Sequence, residues 1–291
     1  MVKQVRIGIS GWRYEPWRGS FYPKGLAQKR ELEYASQQLN SIEINGTFYS
    51  LQTPESYRRW ASETPDDFVF AVKGPKYISH RKRLKDVRIP LANFFASGIF
   101  LLGKKLGPIL WQFPQWEQFE LERFSEFLEL LPTSVAEAAD LASENTINRP
   151  DRKWVEPVRD QRLRYAFEPR HESFFTPPFI KLLRRHNAAL VFADMADKWP
   201  TSEDVTADFV YIRLHGAEKL YSSGYEEEQI DRWAKRIELW HDGREPSDAR
   251  LVAKKRADRK SGRLVFTYFD NSIKVHAPRD AIRLARRLQV S

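Results

Sequence analysis

The chain has 291 residues, 42% of them hydrophobic and 30% charged, which is enough for one large barrel or two small domains and unlike the composition of a disordered chain. It contains no cysteine, so disulfides, thiolate metal sites and cysteine nucleophiles are excluded together. Its formal charge of +9 suits a polyanionic partner in sum, but Arg244 to Arg263 alone holds eight Lys/Arg against three Asp/Glu, so more than half of the excess sits in one segment.

Short runs rich in β-branched and aromatic residues recur eight times along the chain. They lie near Arg6 to Ser10, Ser41 to Ile44, Phe68 to Val72, Pro108 to Gln112, Leu163 to Glu168, Ala189 to Ala193, Phe209 to Leu214 and Leu264 to Phe269. Helix-period segments fill most of the intervals: Lys29 to Gln38, Leu91 to Leu102, Glu120 to Leu131 and Glu226 to Trp240, with further starts at Thr53-Pro54-Glu55, Thr176-Pro177 and Ala277-Pro278. Eight strands alternating with helices predict a single TIM-type (β/α)₈ barrel spanning residues 1–291.

Three intervals depart from a regular barrel. Met195 to Asp208 is short and polar and predicts a degenerate unit after the sixth strand. Thr133 to Gln161 has room for an extra helix and a loop. Gly243 to Arg263 predicts a long, basic, mobile excursion at the N-terminal face before the eighth strand. No apolar run approaches the ~18 residues of a membrane span. Met1 to Ser10 runs into a strand-like alternation rather than a signal peptide, so the expected compartment is the cytoplasm, with no membrane partner.

Alternate residues of a barrel strand face inward, and those at the C-terminal mouth form the functional site. Parity places Glu43 and Asn45 on the inner side of the second strand and Lys73, Gln112, Glu168 with Arg170, and Arg213 with His215 at the ends of later strands. Asp194 ends the sixth strand, and the eighth ends in Asp270-Asn271, where parity does not decide between the two; Asn271 is taken into the set. Trp12 and Tyr14 follow the first strand.

At this point the segments resemble a known family. Gly8-Ile9-Ser10-Gly11-Trp12, Glu43-Ile44-Asn45 with Thr47-Phe48-Tyr49, Phe70-Ala71-Val72-Lys73, Gln112-Phe113-Pro114, Glu168 with Arg170-His171, Tyr211 with Arg213-Leu214-His215-Gly216, and Tyr268-Phe269-Asp270-Asn271 closely resemble the domain of unknown function 72 (YecE-like) family. The resemblance implies a TIM-type barrel and no established activity. The chain departs from the family pattern at Pro169, where an aromatic residue is usual, and at Asp270, where Asn is usual.

The leading expectation is an enzyme acting on a small anionic or phosphorylated substrate. Glu43 and Glu168 would supply acid and base, with Lys73, Asp194 and His215 as further catalytic groups and Lys73 alternatively a Schiff-base nucleophile or a salt-bridge partner of Glu43 or Glu168. Trp12, Tyr14, Asn45, Gln112, Arg170, Arg213 and Asn271 would bind the substrate. No cofactor is expected; a divalent metal held by Glu43, Glu168, Asp194 and His215 is the minor alternative. Two further readings remain. One is a nucleic-acid-binding or repair-related protein using His80, Arg81, Lys82 and Arg83, and the other is a ligand-binding barrel without turnover. The sequence assigns neither a reaction class nor an oligomeric state.

Overall fold

The structure, a computed structural model, describes residues 5–196, 198–216, 223–253, 256–257, 262–271 and 276–290. Eight parallel strands close into a barrel in sequence order: β1 (Val5–Ser10), β2 (Ser41–Ile44), β3 (Val69–Lys73), β4 (Leu106–Gln112), β5 (Tyr165–Glu168), β6 (Ala189–Asp194), β7 (Phe209–Leu214) and β8 (Leu264–Phe269). All eight coincide with the strand-like runs of the sequence. Closure leaves no edge strand, and β8 pairs back onto β1 with Val265 opposite Val5 and Phe269 opposite Ile9.

The helical layer comprises α1 (Glu31–Gln38), α2 (Gly46–Tyr49), α3 (Pro54–Ser62), α4 (Arg88–Ala96), α5 (Leu121–Leu130), α6 (Val135–Ser143), α7 (Pro177–Arg185), α8 (Glu227–His241) and α9 (His276–Arg287). Thr53 caps α3 by accepting from the Ser56 amide, whereas the Thr176 side chain makes no such cap on α7. α6 is the extra helix anticipated between β4 and β5. The single helix expected over Leu91 to Leu102 is instead two pieces. α4 stops at Ala96 because Gly98 takes φ 106°, and a Cβ there would lie 2.7 Å from Pro54 Cα; a 3₁₀ segment, Ile99–Lys105, follows.

Two apolar layers hold the barrel. The outward faces of the strands and the inner faces of the helices form one large core, with Phe113, Phe124, Phe174 and Phe179 in edge and stacked contact. Inside the barrel Ala71, Leu110, Ala166, Ala189 and Val191 face the bulkier Tyr211, Phe266 and Tyr268. Small residues on β3 to β6 therefore make room for aromatics on β7 and β8. Gly8 belongs to the same fit, since a Cβ on it would lie 2.1 Å from the Ser41 carbonyl oxygen and 3.2 Å from the Tyr268 ring.

Between β6 and β7 no described residue is helical, as the short polar interval predicted. The basic excursion is not free in its described part, which corrects the expectation of a mobile loop. Buried Asp204 accepts hydrogen bonds from the Val252 and Ala253 amides, and Glu203 accepts from the Arg250 amide and pairs with Arg236. The excursion thus packs against the segment that replaces the missing helix. Its remaining residues, 254–255 and 258–261, lie outside the described set.

Candidate functional site

The inward parity of β7 places Tyr211, Arg213 and His215 in a row, and Arg213 ends in the middle of the mouth, fully buried. Its Nε and Nη2 donate to the two oxygens of Glu43 at 3.1 and 2.8 Å, Nη1 donates to Glu168 at 2.5 Å, and Nη2 also donates to Asp270 at 2.9 Å. Glu43 further accepts from Tyr211 Oη at 2.6 Å and from Ser10 Oγ, and Arg213 Nη2 reaches that same Ser10 oxygen at 3.1 Å. Arg170 donates twice to Glu168, at 3.0 and 2.8 Å. His215 lies with Nδ1 3.2 Å from Asp270 and Nε2 3.9 Å from Glu168.

This is a closed ion-pair network in which charge states are set by partners. Burial alone would raise the Glu168 carboxyl, but Arg213, Arg170, His215 and Lys73 outweigh it and hold the group well below the usual carboxylate range. Asp270 behaves alike: burial opposes its charge, and Arg213, His215 and Lys73 bring it down to about 2. Burial likewise opposes the Arg213 charge, and Glu168, Glu43 and Asp270 overcome it.

Lys73, at the end of β3, has a different environment. Its Nζ sits 4.3 Å over the Phe48 ring, and among the described residues no carboxylate lies within 4.0 Å of it, so the salt bridge to Glu43 or Glu168 is not formed. Burial first and the Arg213 charge second lower its pKa to about 8, with Glu168, Glu43 and Asp270 only partly compensating. Thr47 Oγ1 fixes the strand end by donating to the Lys73 carbonyl at 2.6 Å. Asn45 follows the last paired residue of β2, Ile44, and stands at the N-cap position of α2, and its buried Oδ1 has no hydrogen-bond partner among the described residues. Gln112 is buried at the end of β4, on the inward side with Leu110.

Several anticipated residues sit elsewhere. Asp194 shares the outward parity of Leu190 and Phe192, because Ala189, Val191 and Ala193 face the barrel interior. It accepts hydrogen bonds from Tyr225 and Trp233, and burial nevertheless raises its pKa. The four-residue metal set Glu43, Glu168, Asp194 and His215 therefore does not converge, since Asp194 leaves it and Arg213 occupies the space between the two glutamates. Among the described residues no group of three or more His, Asp or Glu side chains is placed to hold a metal ion.

Asn271 also turns outward, where its amide donates to Asp280 of α9 and to the Ser223 carbonyl, each at 2.9 Å. Asp270 is the inward member of that pair. Trp12 packs edge-on against Trp60 at 5.4 Å within the helical core rather than facing the mouth, and Tyr14 donates to the Ser10 carbonyl at 3.1 Å.

The His80 to Arg83 run is divided. His80 turns toward the mouth, its ring 5.2 Å from Phe48, and burial together with Lys73, Arg170 and Lys76 lowers its pKa to about 4. Arg81 and Lys82 line a groove beside the mouth. Arg83 is committed to the buried Glu117, which also binds Arg123. Ser10, Tyr211 and Asp270 complete the network beyond the residues expected at the site; the inward parity of β7 is the signal that reaches Tyr211.

A closed parallel eight-stranded barrel with a buried ion-pair network and a lysine at its C-terminal mouth defines a TIM-type barrel protein. The family described as "Protein of unknown function DUF72" matches residues 6–291, and the chain belongs to that family. It is 25% identical to the UPF0759 protein YecE of Escherichia coli K12 over 249 residues, 81% of this chain and 82% of that protein. It is 28% identical to the UPF0759 protein YunF of Bacillus subtilis over 117 residues, which span 38% of this chain and 40% of that one. Among solved structures, a DUF72 family protein from Thermotoga maritima superimposes with a TM-score of 0.71 at 22% identity, covering 98% of this chain and 99% of that one. One from Enterococcus faecalis does so at 0.68 and 19%, covering 99% and 96%. These likenesses establish the fold; no described helix is long and apolar enough to cross a membrane.

Proposed function

We propose that this protein is an enzyme acting on a small carbonyl compound at the barrel mouth, with Lys73 as the reactive amine. One observation carries the reading: a buried lysine with no carboxylate within 4.0 Å among the described residues, seated on Phe48, where burial and the Arg213 charge push its pKa down to about 8. An ordinary lysine is almost wholly protonated at neutral pH, whereas desolvation and a neighbouring cation keep a useful fraction of this one as free amine. In the proposed step the Lys73 nitrogen adds to the carbonyl carbon, the carbonyl oxygen takes one proton from that nitrogen and one from solvent, and it leaves as water as the carbon–nitrogen double bond of a protonated imine forms.

Glu43 and Glu168 act in this reading as fixed anions rather than as acid and base, because Arg213 holds both. The substrate's own anionic group is met by Arg170, whose side chain is 13% exposed while that of Arg213 is fully enclosed. Gln112, at the end of β4 opposite Glu168, and Asn45, directly after β2, orient the carbonyl and its substituents in this reading.

The test is reductive trapping. The protein is incubated with short α-keto acids and hydroxyketones in the presence of cyanoborohydride, and the Lys73 peptide is read by mass spectrometry. Selective modification of Lys73, absent in Lys73→Met, is the expected result. Modification spread evenly over surface lysines, with Lys73 no faster than the rest, contradicts the reading.

A further inference from the structure

Beside the mouth, between α2, the turn at Tyr77–Arg81 and α4, lies a groove of about 550 Å³, within the size range of small-molecule sites. It concentrates exposed apolar surface. Of the seven large hydrophobic side chains exposed among the described residues, Tyr49, Leu51, Tyr77 and Ile89 line this one groove. Isolated exposed hydrophobics are ordinary, but four on one concave surface are the mark of an interaction site.

The polar lining is cationic. Lys76, Arg81 and Lys82 project from the turn that carries Tyr77, against a single carboxylate, Asp86, which lies 3.8 Å from Lys82. Lys76 is already seated over the Tyr49 ring at 4.9 Å, while Arg81 has no ion pair among the described residues. Two tyrosine rings thus share the concavity with net positive charge and an aliphatic wall from Ile89 and Pro90.

We infer that this groove is a binding site for a planar aromatic ring bearing an anionic tail, of the nucleoside monophosphate class, with the ring against Tyr49 and Tyr77 and the phosphate at Arg81 and Lys82. The site stands whether or not Lys73 turns a substrate over, although Phe48 belongs to both the groove wall and the Lys73 seat. A ring without charge would leave the cations unused, and an inorganic anion would leave the apolar wall uncovered.

The experiment is isothermal titration of the full chain with adenosine 5′-monophosphate, adenosine and inorganic phosphate separately. The monophosphate is expected to bind about tenfold or more tightly than either half. Tyr77→Ala and Arg81→Ala, both at exposed positions, are each expected to weaken it about tenfold. Ile89→Glu, which sets an anion on the opposite wall, serves as an independent variant and is expected to do the same. No heat up to about 5 mM monophosphate, or equal affinity in all three variants, overturns the inference. So does a single-stranded oligonucleotide that binds at least about tenfold more tightly and loses its affinity with salt, which would assign the groove to a polymer instead.

Discussion

Replacing Arg213 by methionine keeps most of the side-chain volume and removes the cation between three carboxylates. Glu43, Glu168 and Asp270 would then face one another at the mouth, with Arg170 still paired to Glu168, His215 beside Asp270, and Tyr211 and Ser10 donating to Glu43. Removing one partner of a buried ion pair costs about 3–5 kcal/mol. The Asp270 share can be worked separately. Holding it at about 2 instead of the ordinary 3.8 corresponds to about 2 kcal/mol at neutral pH. The assay is denaturant unfolding of both proteins from pH 7 to pH 4.

The sign follows from the protonation balance. In the parent protein Asp270 and Glu168 titrate below their unfolded values, so their contribution is complete above the unfolded pKa and is lost only as pH falls through the folded one. In Arg213→Met the largest charge opposing the burial of Glu168 and Asp270 is gone, so both titrate higher than in the parent and the folded variant takes up protons earlier as pH falls. The deficit is therefore about 3–5 kcal/mol at pH 7, roughly 6–10 °C in Tm, and narrows toward pH 4. A deficit under about 1 kcal/mol at pH 7, or one that stays constant across the range, would refute the argument.

Four other outcomes follow from the same geometry. Because Lys73 binds its proton less tightly when folded than when unfolded, the parent should gain about 3 kcal/mol over Lys73→Met between pH 8 and pH 10.5, measured as the difference between their unfolding curves. Asp270→Asn removes an anion that supports the Lys73 charge, so Lys73 should titrate lower in this variant when followed by competitive acetylation. Asp194→Ala leaves the Tyr225 and Trp233 donors unpaired and should cost about 1–3 kcal/mol while leaving the Lys73 titration unchanged. Asp204→Ala releases the amides of Val252 and Ala253, and trypsin should then cut at Arg250 and Arg256 faster than in the parent.

Strand parity made the barrel and half of its rim legible. Ile42 and Ile44 on one side of β2 and Ile212 and Leu214 on one side of β7 mark the helix layer, so Glu43, Arg213 and His215 had to face inward, and they do. In β6 the same alternation turns Asp194 outward with Leu190 and Phe192, although an acid at a strand end resembles a rim residue. On β8 parity had less to work with, because Phe266 and Tyr268 inside and Val265 and Phe269 outside are all apolar or aromatic. Only the three-dimensional fit of small residues against Tyr268 decides that Asp270 faces in.

What the sequence could not show was how charges are shared. Glu43, Lys73, Glu168 and Arg213 are all present as residue types, and pairing is a matter of reach: Arg213 spans to both glutamates and leaves Lys73 on an aromatic ring. In the proposed reading that division moves the reactive role from carboxylates to the amine. Trp12 shows the opposite limit, since a tryptophan after a barrel strand reads equally as ligand contact or core filler, and here it meets Trp60 in the core.

The titration of Lys73 itself, followed as the pH dependence of its acetylation relative to surface lysines, decides whether this amine can be the reactive group. The account predicts a midpoint near 8, falling further in Asp270→Asn. A midpoint at or above the ordinary value of about 10.4 would mean that the amine is protonated and paired, and would contradict the assignment of Lys73 as the reactive group.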